Sequence, residues 1–479
     1  QFKNQSFDLK SHYYFNPDHF VTMGIRVNEI DDMGVTFKPD SPYFRYTEYD
    51  NQTSKLAYDG KKTGFFDSVH FDIFHTEQER RVEGKAFSGD LSKYSLKTSH
   101  VDTHSSGANM HTFINIKESQ RLLTGFSYSH ETSNSNETSK NFNINNDKQL
   151  SQIDFEPIPD AETDLYGIFA QDEIFIGDNT TLTLAGRYDH IEMSSEDMPF
   201  KTVRYTPAGP VERNNNFVVS DETFDAFTYN VGLLYALTSN VHLTGNANSG
   251  FRAPTVMELY AIRKGPGITY LGNPELDPEK SYNFDIGVKL NYQKFRGMFN
   301  VYYNRVKDFI DTEIRTDIPL LGQQKSEIYI NISEAELCGF ETSAEYDLLE
   351  WLTMFGNLAY VTGEDTDNDK YLSDIPPLNG LAGVRFHIEN GKKKYWLELE
   401  TQIFDKQDHT APGEDDTAGY SIFNIRSGMK LPAGYFENIT LTLNIENLFN
   451  KQYHEHLKVK DNHSPCPGLN VLAGLKVEF

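Results

Sequence analysis

The stretch Tyr453-His454-Glu455-His456-Leu457 sets two imidazoles two residues apart, with a carboxylate between them. In an extended chain, alternate side chains share a face, so both rings could chelate a transition metal or a metal-bearing ligand. His463 follows on the same expected outer loop, and His409 falls on a neighbouring one. The other reading of these histidines is plain loop polarity. Tyr260, Tyr270, Phe200 and Tyr205 add rings that could stack on an aromatic ligand or pack within their own loops. The acidic runs EDTDNDKY and GEDDT could hold calcium loosely or serve as solvated charge. The two cysteines, Cys338 and Cys466, are too few for a disulfide framework and leave one bridge or two free thiols. No GxSxG, HExxH, P-loop or CxxC pattern occurs, so neither an enzyme nor a bound cofactor is expected.

Loops need a frame, and the frame is written as alternation. In NITLTLNIEN, Ile439, Leu441, Leu443 and Ile445 alternate with Thr440, Thr442, Asn444 and Glu446. In SYNFDIGVKLNY, Tyr282, Phe284, Ile286, Val288, Leu290 and Tyr292 alternate with mostly polar partners. FTYNVGLLYAL, KYWLELETQIF and the terminal LNVLAGLKVEF behave alike. Period two means strands with one apolar and one wet face, and aromatic ends fit membrane interfaces. YDLLEWL is the best helix candidate and reads better as a turn.

The connections alternate in length. Short ones are expected near Lys117–Gln120, Gly177–Asn179, Thr238–Asn240, Gln293–Arg296, Leu349–Trp351, Asn390–Lys393 and Pro432–Glu437. Long ones are expected near Thr132–Glu162, Ser194–Phe224, Arg252–Glu279, Glu313–Lys325, Gly363–Pro377, Lys406–Thr417 and Asn450–Pro467. An up-and-down barrel with turns on one side of a membrane and loops on the other has that rhythm. The count is about nineteen strands of roughly ten residues each, a membrane-barrel length. Lys+Arg 44 against Asp+Glu 70 gives a net charge of −26, which argues against a nucleic-acid partner. Mean hydropathy is −0.56, and no run approaches the ~20 apolar residues of a membrane helix.

Three stretches then carry a resemblance. NSGFRAPTVMELYAIRKGPGITYLGNPELDPEKSYNFDIGVKL, from Asn248 to Leu290, resembles the GFRAPT…ELY…GNP.L.PE.S pattern of TonB-dependent outer-membrane receptors. AGYSIFNIRSGMKL followed by LTLNIENLFNKQYHEHL resembles their penultimate strands, and the end at Phe479 resembles their last strand. The resemblance implies an all-β fold: a transmembrane, antiparallel, up-and-down β-barrel of about twenty-two strands around an N-terminal plug. Residues 1–479 are expected to be the C-terminal, barrel part of such a receptor, without plug or TonB box. By the resemblance, Arg252, Pro254, Glu258, Asn273 and Pro274 shape an outer loop, and Phe479 is an address for barrel insertion. The implied function is uptake of a metal complex, a ferric siderophore or haem-like chelate, across the bacterial outer membrane. The ligand would meet extracellular loops, and the TonB complex would act only through a plug. A monomer in the lipid bilayer is expected. The alternative is a passive pore or adhesin lacking a plug.

Overall fold

A computed structural model of the chain describes residues 3–35, 43–88, 91–206, 209–217, 219–264, 268–318, 324–434, 436–458 and 466–478. They form one sheet of twenty-five strands, numbered β1 to β25 in chain order, with one short helix. The strands that carry the wall are β1 (Lys3–Asn16), β2 (His19–Val35), β3 (Tyr43–Thr63), β4 (Phe66–Phe87), β5 (Lys93–Ile116), β6 (Gln120–Asn143), β8 (Ala161–Ile176), β9 (Thr180–Ser195), β12 (Glu222–Thr238), β13 (Val241–Arg252), β16 (Glu279–Asn291), β17 (Phe295–Arg315), β18 (Ser326–Leu349), β19 (Leu352–Asp365), β21 (Asn379–Asn390), β22 (Lys393–Phe404), β23 (Tyr420–Ala433), β24 (Phe436–Glu446) and β25 (Asn470–Glu478). Each pairs antiparallel with the next, so the nineteen run as one meander, in agreement with the count from alternation. Among the described residues β1 pairs only with β2 and β25 only with β24, leaving a seam between them.

The two faces differ as the alternation requires. On β12, Phe227, Tyr229, Val231, Leu233, Tyr235 and Leu237 are exposed on the outward face. Asn230 and Gly232 alternate with them, and aromatic rings stand toward both ends of the row. The inward face is held by charge pairs between adjacent strands. Arg385 donates to Glu398 at 2.5 Å, and Arg296 reaches Glu345 and Asp347 at 3.1 and 3.0 Å.

The short turns lie where the sequence places them. Gly177 and Gly391 hold φ near +61°, a left-handed geometry that suits glycine in a tight reversal. YDLLEWL is the end of β18, a turn and the start of β19.

Two expected loops are corrected. Thr132–Glu162 is mostly sheet: β6 runs on to Asn143, and β7 (Gln149–Phe155) pairs back onto it. Ser194–Phe224 contains the hairpin of β10 (Met198–Thr206) and β11 (Gly209–Phe217), and β10 pairs with β7. Wall strands reach 24 residues, well beyond a bilayer span. Past the membrane, neither face needs apolar residues, so SNSNETSKNFN loses its alternation while the backbone ladder continues.

Among the described residues, a large apolar cluster sits at the outer end rather than inside the wall. Ile191, Met193, Met198, Phe224, Leu259, Tyr260, Ile262, Leu276 and Ile310 are buried together there. Helix α1 (Val256–Tyr260) and the short strands β14 (Ile262–Lys264) and β15 (Thr269–Leu271) complete this cap, and β15 pairs parallel with β18.

Candidate ligand-binding mouth

The motif between β13 and β16 folds into the cap. Thr255 is the N-cap of α1: its Oγ1 accepts from the Glu258 backbone N–H at 3.2 Å, and Glu258 accepts from the Thr255 N–H at 2.8 Å. This reciprocal capping box has the pattern T-x-x-E, a helix start not among the expectations above. Arg252 grips Glu279 through Nε and Nη2 at 2.8 and 2.6 Å, and Glu258 through Nη1 at 2.8 Å. The Glu279 hydrogen bonds, opposed by burial and joined by Glu258, hold the guanidinium above its ordinary pKa. Asn273 donates its backbone N–H to Glu258 O at 2.8 Å and its amide to Tyr329 O at 3.0 Å. Pro254 is fully buried, whereas Pro274 is exposed. Arg252, Pro254, Glu258 and Asn273 therefore build the cap.

Tyr260, expected as a stacking ring, is 4 % exposed and donates its hydroxyl to Ser220 O at 2.7 Å. Its phenol is pushed up by burial, and its ring belongs to the cap core. Tyr270 is half-buried on β15, with the Arg263 guanidinium 5.3 Å from its ring centre.

His454 and His456 do not share an extended strand. The chain before them is irregular, and His456 opens a 3-10 turn (His456–Lys458). Its side chain is 3% exposed, with Nδ1 3.1 Å from Thr417 Oγ1 and Nε2 3.3 Å from Glu414 Oε1. Glu414 also accepts the backbone N–H groups of Asp374 and Ala411, both at 3.0 Å. His456 thus joins its own loop to the Glu414–Thr417 loop, although its Nε2 makes no hydrogen bond, and Glu414 carries the contact on to Asp374. His454 is half-buried, and its Nδ1 is buried without a hydrogen-bond partner.

Nearby, Asn447 anchors the same connection. It takes φ +49°, donates its amide to Lys451 O at 2.7 Å and accepts from the Lys451 N–H at 2.8 Å. Asn447 was not among the expected site residues, although an Asn in ENLFN is a natural left-handed residue.

His409 stacks on Tyr371, with ring centres 4.9 Å apart. The two rings border a cavity of about 310 Å³ that Tyr360, Ile375, Leu378 and Asp408 also line. It lies between the β19–β21 and β22–β23 connections, where Gln407 donates to Ile375 O at 2.6 Å. An aromatic wall with one imidazole and two carboxylates, Asp405 and an Asp408 paired with Lys406, suits a flat or metal-bearing ligand edge. The structure therefore separates the histidines: His409 faces a cavity and His456 is a loop tie, while His463 and Phe479 lie outside the described residues.

The acidic runs have local duties. Asp365 accepts the backbone N–H groups of Asp367 and Asn368 at 3.1 and 3.2 Å, closing its own turn. Cys338 lies within β18 and is exposed, Cys466 is half-buried, and the two are not bridged to each other.

A family profile described as TonB dependent receptor-like, beta-barrel, matches residues 2–448. The chain belongs to the TonB-dependent receptor family. Its wall is therefore a receptor barrel, as the resemblance implied. Heme/hemopexin utilization protein C of Haemophilus influenzae is 25% identical over 306 residues, covering 58% of this chain and 39% of that protein. TonB-dependent heme receptor A of Haemophilus ducreyi is 21% identical over 339 residues, covering 63% of this chain and 44% of that protein. The chain thus spans about two fifths of the length of such relatives. Among solved structures, the copper transporter OprC superposes with a TM-score of 0.77 at 17% identity, covering 99% of this chain and 72% of that one. The FrpB iron transporter from Neisseria meningitidis gives 0.69 at 16%, covering 99% and 71%. At these identities the two structures speak for the TonB-dependent receptor fold. All of these proteins are named as receptors, transporters or utilization proteins.

Proposed function

We propose that this chain is the barrel part of a bacterial outer-membrane receptor that takes up an iron chelate of the haem type. The observation that carries the reading is the family match across residues 2–448. Relatives named for heme and for hemoglobin binding supply the ligand class. The geometry supports it at the mouth, where His409 and Tyr371 stack beside a cavity. Imidazole and phenol are the side chains that ligate haem iron, and aromatic walls hold a flat macrocycle.

In this reading the ligand is the cargo and the barrel holds no resident cofactor. The outward apolar rows face lipid, the chain acts as a monomer, and coupling to TonB belongs to a plug segment outside these residues. The wall positions the outer loops, the cap closes one part of the mouth, and His456 joins its own loop to the Glu414–Thr417 loop.

The test is a haemin titration of the detergent-extracted receptor, followed by its Soret absorbance. A saturable shift is expected, weakened about tenfold by His409→Ala or Tyr371→Ala, a loss of ~1.4 kcal/mol. A spectrum that merely sums free haemin and protein would remove the haem reading.

A further inference from the structure

The outward face of β4 and β5 carries a group of side chains that uptake does not use. On β4 the outward residues begin apolar, with Phe71 and Ile73 both exposed. They then change to His75, Glu77, Glu79 and Arg81. The register sets Ser106, His104, Asp102 and His100 of β5 directly opposite these four. The change falls about ten residues from the short turn, where a tilted strand leaves the hydrocarbon layer.

Three of these residues converge. His75 Nε2 lies 3.1 Å from Glu77 Oε1, and His104 Nδ1 lies 4.0 Å from the same oxygen. All three ligand atoms fall within 4.8 Å of one another. Tetrahedral zinc with bonds of 2.0–2.1 Å separates its ligand atoms by about 3.3 Å, so only small side-chain rotations are needed. His75 Nδ1 is 2.8 Å from Ser106 Oγ. Without metal, Nε2 donates to the Glu77 carboxylate; a metal ion would displace that proton, and Nδ1–H donated to the Ser106 hydroxyl then holds the tautomer a metal requires. The two imidazoles lie nearly parallel, at 17°. Paired strands hold the set, since Glu77 faces His104 directly and His75 is the next residue on that face.

A second trio, Glu79, His100 and Asp102, lies one step further out. There the Arg81 guanidinium already sits 2.6 Å from Glu79 Oε1 and competes with any cation. Among the described residues, the lower trio has no cationic partner of that kind in contact with its carboxylate.

We infer that His75, Glu77 and His104 form a binding site for a first-row divalent transition metal ion on the outer surface of the barrel wall. Two imidazoles and one carboxylate with an open fourth position suit Zn2+, and Co2+ as its spectroscopic substitute. The site is separate from the mouth and from the chelate that the mouth is proposed to take.

The test is a Co2+ titration of the detergent-extracted, tag-free receptor, read by visible d–d absorbance and reversed by Zn2+. One ion per chain is expected. Affinity should fall at least about tenfold in His75→Ala, His104→Ala and Glu77→Gln, and stay unchanged in His100→Ala and His409→Ala. Heat-modifiable gel mobility equal to wild type confirms that each variant is folded, as expected for half-exposed side chains. A wild type without a d–d band, or His75 and His104 variants that titrate like wild type, would overturn the site and leave a cross-strand ion pair. Haemin titration of the same samples keeps that outcome distinct from failure of the uptake reading.

Discussion

Gly272 packs so closely on the end of α1 that a Cβ there would lie 2.4 Å from the Tyr260 backbone nitrogen. The next obstacles are the carbonyl carbon and oxygen of Leu259, so the collision is with backbone and no side chain can step aside. Gly272 also donates its N–H to Ala261 O at 2.7 Å, which fixes the approach. Gly272→Ala should therefore lift the cap, at a cost of about 1–3 kcal/mol typical of overpacking. Limited proteolysis should show faster cleavage around residues 255–276, with the barrel itself intact. Unchanged cleavage would show that the contact is not constraining.

The Arg252 fork is a second handle on the cap. It joins β13, β16 and α1 through two carboxylates, and Lys cannot reproduce that geometry. The side chain is 41% exposed, so solvent screening limits its worth. Arg252→Lys should cost about 1–2 kcal/mol of cap stability, and a double-mutant cycle with Glu279→Gln should show coupling. Additive effects would contradict the fork.

The outward face is predicted to meet lipid. Ile286 is 68% exposed on β16, while its neighbour Asp285 points inward and accepts from the Asn246 amide. Ile286→Arg should destabilise the inserted barrel by about 2–4 kcal/mol if it lies at the bilayer midplane. Asp285→Asn should be tolerated. Urea unfolding in lipid vesicles separates the two, and equal stability of both variants would mean that the faces are misassigned.

Much of this architecture was legible because a bilayer imposes a strict pattern. Phe284 and Ile286 must face hydrocarbon and Asp285 must not, so β16 reads as a strand from its residues alone. The signal fades where the bilayer ends. β7, β10 and β11 are short and mostly polar, with only isolated buried apolar residues such as Ile153, Phe155, Met198 and Val203, and such strands look like loops. The site was less readable for a related reason. His454 and His456 look like a chelating pair only if the chain is extended, and the 3-10 turn at His456 sends one ring into a loop contact instead. Tyr260 and His409 resemble each other as loop residues, but Tyr260 lies in a core formed by chain distant in sequence. The His75–Glu77–His104 set depends on the register between β4 and β5, which single-strand alternation does not specify.

Leu259, wholly buried in the cap, gives a packing test. Leu259→Ala should cost about 2–5 kcal/mol locally and raise hydrogen exchange in α1 and β15. Exchange equal to wild type would place the cap's stability elsewhere.

The most direct test of the central claim is growth of an iron-starved strain that lacks its own haem receptors and expresses the full gene encoding this barrel. With haemin as the iron source, growth is predicted, and deletion of TonB should abolish it. No growth on haemin would contradict the haem assignment, and growth that persists without TonB would make the protein a passive pore.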